Sequence, residues 1–141
     1  SPSRIDYMIG DASVLTEKYD TMTSVMSLQL IEDIDTCIEK LCTHCRQYIL
    51  FAVFNPKWVE ECLSSKKGSF PDRENWVSQG VSLPVFHRSK KEYDNMFQAN
   101  GFLNVFEEYP SFTSEFVEQY SWDRPSNVSE FMILGYQKEM H

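Results

Sequence analysis

The sequence predicts a single α/β domain built around a mainly parallel sheet. Residues Tyr48 to Phe54 are apolar without a break, which is typical of a central strand with helices on both of its faces. Ahead of this run, large aliphatic residues recur at three- and four-residue steps, as they do on the buried face of a helix. Strands that alternate with helices favour a parallel sheet, and 141 residues are enough for one core.

The first thirty residues are predicted to contain two strands. The run IDYMIG within Ser1 to Gly10 is apolar and closes at a Gly-Asp turn, which predicts a short strand. Residues Ala12 to Lys18 have room for one or two helical turns. From Tyr19 the chain is rich in Thr, Val and Met, which predicts a strand that changes to loop or helix near Ser24.

A helix and the central strand are predicted next. Asp33 and Asp35 lie in the first turn of the helix, where the helix dipole stabilises acidic side chains. Its buried face is predicted to consist of Ile31, Ile34, Ile38 and Leu41. The central strand ends at Asn55-Pro56, because proline has no N–H for a sheet. Ligands of open α/β sheets bind beyond the carboxyl ends of strands, so we expect a site near Asn55.

Residues 57–88 are interpreted as a lid or insert within the single domain of residues 1–141. A short helix is predicted from Lys57 to Leu63, and the polar, glycine-containing stretch from Ser64 to Ser82 is predicted to be the least regular part of the chain. Long irregular segments inside compact domains often have a binding function.

The C-terminal third is predicted to hold one helix and two strands. Ser89 and Glu92 form a capping box, and the buried side of the helix is predicted to be Tyr93, Met96 and Phe97. Asn100-Gly101 ends this helix, and a strand follows from Phe102 to Tyr109. Ser114 to Trp122 is predicted as a short helix or an irregular crossing, and the run FMILGYQK as the last strand.

Charge and cysteine content restrict the function. A net charge of −8 argues against a nucleic-acid or anionic-membrane surface, and no apolar stretch reaches the ~20 residues of a membrane span. The four cysteines are interpreted as reduced thiols of a cytoplasmic protein. The alternative is a zinc site made by Cys42-Thr43-His44-Cys45 with Cys62, but a second close ligand pair is lacking, so no metal is predicted.

Four segments carry a family resemblance. They are Tyr19-Asp20 with the run TMTSVMSLQLIEDID, the strand YILFAVFNP, the segment from Leu83 to Phe102 with its His-Arg pair and Asn-Gly-Phe ending, and the closing FMILGYQK. In this order they resemble the C-terminal portion of a class I S-adenosylmethionine-dependent methyltransferase of the small-molecule branch. The resemblance implies a Rossmann-like sheet, mostly parallel, with an antiparallel C-terminal strand pair.

One part of the family pattern is missing. The family has a glycine-rich turn after its first strand, but this chain has only five glycines, and none forms a Gly-x-Gly turn. The resemblance therefore implies an incomplete fold that lacks the first strands. We expect this chain alone to be inactive. It is expected either to form a homo-oligomer or to assemble with a partner chain that supplies the missing N-terminal half.

The resemblance also implies part of a site for S-adenosylmethionine. Gly10, Asp11 and Ala12 resemble the family's Gly-Asp-Ala turn, whose acid reaches the adenine amino group. The alternative for Asp11 is a helix N-cap, and both roles are compatible. Ser24, Val25 and Met26 match the strand end that lines the methionine part of the cofactor, with ordinary core packing as the alternative.

The predicted substrate side rests on three residues. Trp58 and Trp76 lie in the lid and are candidates for a substrate pocket, the alternative being that they anchor the lid to the core. His87 is the candidate general base because its ordinary pKa is near neutrality. The alternative is a structural His that orients Arg88 or caps the loop, and no other catalytic residue is predicted.

Two functions follow from the sequence. The first is methyl transfer to a small-molecule acceptor, and the second is a non-catalytic, methyltransferase-like interaction module. If the family's first strand is absent, the apolar strand YDTMTSV has an open edge without Pro or Lys. Such edges pair with other chains, so we expect the protein to dimerise.

Overall fold

A computed structural model of the protein describes residues 5–119 and 128–140. The strands are β1 (Tyr19–Val25), β2 (Cys45–Phe54), β3 (Asn75–Ser78), β4 (Val81–Pro84), β5 (Phe102–Glu108) and β6 (Phe131–Lys138). The helices are α1 (Ile34–Thr43), α2 (Pro56–Ser65), α3 (Lys90–Ala99) and α4 (Ser114–Gln119). Two 3₁₀ turns cover Ala12–Val14 and Leu28–Leu30. Residues 120–122 of the predicted Ser114–Trp122 crossing lie outside the described residues.

The main sheet has the strand order β1-β2-β6-β5, and β3 and β4 form a separate hairpin. The predicted α/β class is confirmed, but the prediction of a mostly parallel sheet is wrong. Only β1 and β2 are parallel, whereas β6 is antiparallel to both β2 and β5. The predicted antiparallel C-terminal strand pair is present. Because β6 returns between β2 and β5, two of the three strand pairs in the described sheet are antiparallel.

Helices α1 and α3 cover one face of this sheet. The core cluster on that face combines the alternate residues Ile49, Phe51 and Val53 of β2 with residues of both helices and of β6. Ile34 and Ile38 of α1 are buried, and Ile31 and Leu41 pack against the cluster, as predicted. In α3, Tyr93 and Phe97 are buried and Met96 packs against the cluster, also as predicted.

The opposite face of the sheet is largely bare. We call it the bare face; its residues include Thr21, Thr23, Val25, Tyr48, Leu50, Gly135 and Phe106. The expectation that the central strand is covered on both faces is wrong, because Tyr48 and Leu50 are 41% and 38% exposed. Leu50 and Phe106 close over Gly135, where an added Cβ would lie 2.9 Å from the Cβ of Phe106. A continuous apolar run therefore does not show which of its two faces the rest of the chain covers.

The helix ends follow local chemistry. Asp33 accepts a hydrogen bond from the backbone N–H of Thr36, as an N-cap does. The predicted capping box between Ser89 and Glu92 is confirmed. At the other end of α3, Gly101 adopts a φ of +80°, the left-handed conformation that glycine allows without strain.

The prediction of a strand within IDYMIG is wrong. Residues 5–9 form neither helix nor strand, and their apolar side chains are exposed. A strand needs a neighbour for its N–H and C=O groups, and the described residues provide none there. The chain becomes regular only at the 3₁₀ turn after Asp11.

Residues 57–88 contain more regular structure than the sequence indicated. They include most of α2 and the β3–β4 hairpin, although 64–82 was expected to be irregular. Gln79 and Gly80 connect the two strands with φ values of +50° and +77°. Two positive φ values in a two-residue loop are typical of the tight turn preferred in hairpins. No helix in the described ranges combines the length and apolar character that a membrane crossing requires.

The open edge of β1 leads to the first prediction. In the described sheet β1 pairs only with β2, so we expect the protein to dimerise in sedimentation velocity. Thr23→Lys should weaken this dimer by about tenfold or more, because like charges would meet across paired copies. Ser64→Lys is the matched control, since it adds the same charge on exposed helix surface. A wild-type protein that stays monomeric, or equal effects of both variants, would contradict the prediction.

Candidate functional site

The carboxyl ends of β1 and β2 lie side by side and begin the candidate site. Met26 directly follows β1 with a φ of +56°, and its backbone N–H donates to the carbonyl oxygen of Ala52 at 2.8 Å. A residue other than glycine in this conformation stores strain, and such residues cluster at functional sites. The chain therefore turns sharply at the strand end, where open α/β sheets bind ligands.

Buried hydrogen bonds connect this turn to the end of the lid segment. The side-chain oxygen of Gln29 accepts a hydrogen bond from the backbone N–H of Phe54 at 2.7 Å. The backbone carbonyl oxygen of Gln29 accepts one from the backbone N–H of Phe86, also at 2.7 Å. The Arg88 guanidinium donates to the carbonyl oxygens of Leu28 at 3.3 Å and Ile31 at 2.6 Å. The loop after β1 is thus connected to both β2 and residues 86–88.

An aromatic cavity of about 600 Å³ opens beside this turn. We call it the aromatic cavity; its lining includes Met26, Phe54, Trp58, Trp76, Phe112, Phe131 and Glu130. The Phe54 ring centroid lies 5.1 Å from that of Trp76 and 5.5 Å from that of Trp58. A cavity of this size with mostly apolar walls is typical of small-molecule sites. Both predicted substrate-binding tryptophans therefore line the same cavity as Met26.

Sequence reasoning missed Glu130, which is only 1% exposed and also lines the aromatic cavity. Its Oε2 accepts from the backbone N–H of Phe112 at 3.2 Å, and its carbonyl oxygen accepts from the N–H of Asn55 at 2.9 Å. Among the described lining residues, Glu130 alone carries a formal charge. The available signal was a single acid directly before the apolar run FMILGYQK.

A site was expected near Asn55, and the side chain of Asn55 itself makes structural hydrogen bonds there. It is buried, and its side-chain NH₂ donates to the carbonyl oxygen of Ser129 at 2.9 Å. Its Oδ1 accepts from the N–H of Lys57 and so caps α2. Asn55 thereby fixes the start of β6 against the end of β2, next to the aromatic cavity that its neighbour Phe54 lines.

A second cavity, of about 450 Å³, lies between the N-terminal segment and α1. We call it the N-terminal cavity; its lining includes Asp11, Ala12, Ser13, Ile31, Asp33 and Cys37. The Asp11 carboxylate accepts from the N–H of Ser13 at 2.8 Å, the capping role given as one alternative. Hydrogen bonds from the side chain and the backbone of Ser13 lower the pKa of Asp11. The carboxylate is thus ionised near neutral pH and available as an acceptor.

The remaining residues predicted for the cofactor line neither of these two cavities. Gly10 has a φ of +148° and packs against Val14, which an added Cβ would overlap. Ser24 is half-buried, whereas Val25 is 70% exposed on the bare face. Of the six residues, the structure places Asp11 and Ala12 in the N-terminal cavity and Met26 in the aromatic cavity.

His87 is not among the residues that line the aromatic cavity. Its ring meets that of Phe70 edge-on at 5.4 Å, and burial lowers its pKa. Its buried Nε2 has no hydrogen-bond partner in the part of the chain that the structure describes. A neutral imidazole packed on a phenyl ring fits the structural alternative better than the role of a general base.

The cysteines of the zinc alternative do not converge. Cys42 and Cys45 belong to the core under α1 and α3, while Cys62 lies in a second cluster with Trp58 and Phe70. Burial raises the pKa of Cys42 to about 12 and that of Cys62 to about 11. Within residues 5–119 and 128–140, no group of three or more His, Cys, Asp or Glu residues could hold a metal ion.

Comparison with known proteins shows the fold. No family model and no curated protein matches the sequence. Among solved structures, a putative S-adenosylmethionine-dependent methyltransferase from Listeria monocytogenes superposes with a TM-score of 0.69 at 14% identity. The superposition covers 99% of this chain and 72% of the Listeria protein. The described fold is therefore shared with S-adenosylmethionine-dependent methyltransferases over nearly the whole chain.

Two further solved structures share this fold, one with a bound ligand and one with a bound protein. Magnesium protoporphyrin IX methyltransferase from Synechocystis, solved with bound S-adenosylhomocysteine, gives a TM-score of 0.62 at 18% identity over 94% of this chain. This chain spans only half of that enzyme's length. A putative methyltransferase from Haloferax volcanii, solved in complex with the activator Trm112, gives a TM-score of 0.61 at 13% identity. This superposition covers 95% of this chain and 61% of the Haloferax protein.

Arg88 provides a test of how the site is supported. Arg88→Lys should lower the free energy of unfolding by about 1–2 kcal/mol, because an ammonium cannot reach separate carbonyl oxygens as a planar guanidinium does. Urea denaturation measures the change, and Lys91→Gln on exposed surface should stay within about 0.5 kcal/mol of wild type. An Arg88→Lys protein as stable as that control would show that the contacts to Leu28 and Ile31 contribute little.

The lowered pKa of His87 predicts a pH-dependent stability. The unfolded chain binds the proton at the ordinary value of 6.5, while the folded chain binds it only at lower pH. The stability contributed by the neutral ring is therefore complete above that value and is lost as the pH falls below it. His87→Gln should flatten the decline of the urea midpoint between neutral and mildly acidic pH. An unchanged decline in His87→Gln would refute the buried, neutral ring.

Proposed function

We propose that the chain forms part of an S-adenosylmethionine-dependent methyltransferase that acts on a small-molecule acceptor. The observation that carries the proposal is the strained turn at Met26, which joins β1 to the wall of an aromatic cavity in a fold shared with such enzymes. Synechocystis magnesium protoporphyrin IX methyltransferase, a neighbour of this fold, has been solved with either S-adenosylhomocysteine or S-adenosylmethionine bound.

The residues present fit one part of the cofactor. The carboxylate of Asp11 is a suitable acceptor for an adenine amino group, and Ala12, Ile31 and Cys37 supply apolar walls for a flat ring. The chain has no Gly-x-Gly turn for the amino-acid end of the cofactor. We therefore propose that residues outside this sequence, supplied by a partner chain, complete the site.

In the proposed reaction, S-adenosylmethionine would supply an electrophilic methyl group. The residues of this chain would orient the acceptor: Trp58, Trp76 and Phe54 would enclose its body, and Met26 would border it at the strand end. Enclosure excludes water and limits the acceptor to few orientations, and positioning of this kind can supply much of a rate enhancement. His87 does not enter this proposal, since it does not line the cavity.

A second candidate function is an interaction module without catalysis. The bare face and the open edge of β1 favour it, because exposed apolar surface and unpaired strands bind other chains. The neighbour from Haloferax volcanii was solved with an activator protein. The two candidates differ in whether the N-terminal cavity binds the cofactor.

NMR titration with S-adenosylhomocysteine tests the first candidate. We expect a Kd in the millimolar range, about −4 kcal/mol, as a partial site would give, with backbone shifts at Asp11, Ala12 and Met26. Asp11→Asn should weaken binding by about fivefold or more, because an amide can turn a donor toward the adenine amino group. Asp35→Asn is the control: it removes an equal charge near Asp33 but does not line the cavity.

The outcomes separate the candidates. Binding in the micromolar range would mean that the site is complete in this protein, for example in a dimer. Shifts that avoid Asp11, Ala12 and Met26, or equal effects of the two variants, would overturn the proposed cofactor site. The interaction module would then be the better description.

A further inference from the structure

We propose that the protein exchanges strands with a second copy, so that residues 5–9 of each copy add to the open edge of β1 in the other. The exchange is symmetric, because each copy has one such segment and one such edge. It does not depend on the proposed methyl transfer. It is argued from the segment, from the two outer edges of the main sheet and from the surface that pairing would bury.

Residues 5–9 have the composition and the exposure of a strand that lacks a neighbour. Ile5, Tyr7 and Met8 are 72%, 88% and 60% exposed, and Ile9 is fully exposed. The backbone groups of these four residues make no hydrogen bond within the described chain. Isoleucine and tyrosine favour strands, and contiguous exposed apolar side chains mark surfaces that bind other chains.

The order of the residues gives the segment two different sides. In an extended chain Ile5, Tyr7 and Ile9 lie on one side, and Asp6 lies on the other. This alternation is typical of a strand with one buried face. Beside β1, the apolar side therefore faces the helix-covered side of the sheet, where Met22 packs against the main core.

The two outer strands of the main sheet differ in how their edges are protected. β5 has an irregular register between Asn104 and Phe106 and ends in Glu107 and Glu108. Bulges and charged side chains are devices that block the pairing of an edge with another chain. Residues 21–25 of β1 pair regularly with β2 and include no charge and no proline. Of the two edges, β1 is therefore the one that accepts a strand.

The surface available fits a dimer. Each copy brings four large apolar side chains that are more than half exposed in this segment, and each can bury on the order of 100 Å². Two exchanged segments, with the strand surface that they cover, would bury on the order of 1,000 Å², the lower limit for a specific interface. Backbone hydrogen bonds of an added strand contribute further affinity. Within one copy, the segment does not pair with its own β1.

Hydrogen exchange and sedimentation velocity test the exchange. As the wild-type concentration rises through the dimer Kd, we expect the amides of residues 5–9 and of β1 to gain protection together. Tyr7→Lys should weaken the dimer by about tenfold or more, because it places an ammonium in the apolar row of the added strand. Met140→Lys is the matched control, since it replaces another apolar side chain that is 93% exposed, and it should dimerise like the wild type. Both replaced side chains are exposed in the single copy, so neither variant should lose its fold.

A mixing experiment separates strand exchange from direct pairing of two β1 edges. Tyr7→Lys keeps a free edge but lacks a competent segment, whereas Thr23→Lys keeps the segment but has a charged edge. The mixture can form one correct pair of segment and edge, which neither variant can form alone. We expect a heterodimer at least about tenfold tighter than either variant's homodimer, measured by fluorescence anisotropy with one variant labelled.

A wild type that stays monomeric would overturn the proposal. A dimer that Tyr7→Lys and Met140→Lys leave equally intact, or one in which residues 5–9 gain no protection, would assign the contact to β1 or to the bare face and overturn the exchange. A mixture no tighter than the homodimers would do the same. None of these measurements uses S-adenosylhomocysteine, so strand exchange and the proposed cofactor site can fail independently.

Discussion

The packing of Phe51 in the middle of β2 is the contact on which the rest of the structure depends. Its ring centroid lies 4.8 Å from that of Tyr93, 5.8 Å from Phe97 and 6.0 Å from Tyr136. One side chain thus joins the central strand to α3 and to β6. The stack of Phe97 on Tyr136, at 3.9 Å, completes the group. With α3 placed in this way, Arg88 just before it reaches the carbonyl oxygens of the loop after β1.

Because successive side chains of a strand lie on opposite faces of the sheet, the residues of β2 pack into two different clusters. Phe51 and Val53 face the helix-covered core, while Phe54 belongs to a second cluster with Trp58, Val59, Cys62 and Phe70. The strand ends where these clusters meet, because Pro56 begins α2. The aromatic cavity forms at this boundary, lined by rings from β2, α2, β3 and the start of β6. Its walls therefore come from elements far apart in sequence, fixed by strand pairing.

The bare face is an exposed apolar surface beside the open edge of β1. Tyr48, Leu50, Val25 and Phe106 present an apolar surface that no helix of the described residues covers. The solved neighbours include chains of which this one spans 50% to 72%. An exposed surface of this kind is stabilised when another segment covers it. The open edge of β1 lies beside it, so one partner could satisfy both.

The sequence by itself determined the elements whose signals are local. The Ser89–Glu92 capping box, the Asn100-Gly101 helix end and the Asn55-Pro56 strand end depend on neighbouring residues, and each is present. Tertiary structure decided the position of β6 between β2 and β5, the bare face of β2 and the place of Glu130 in the cavity. Each of these depends on which distant strand pairs with which. Local propensities do not encode that choice, since an apolar run satisfies parallel and antiparallel ladders equally well.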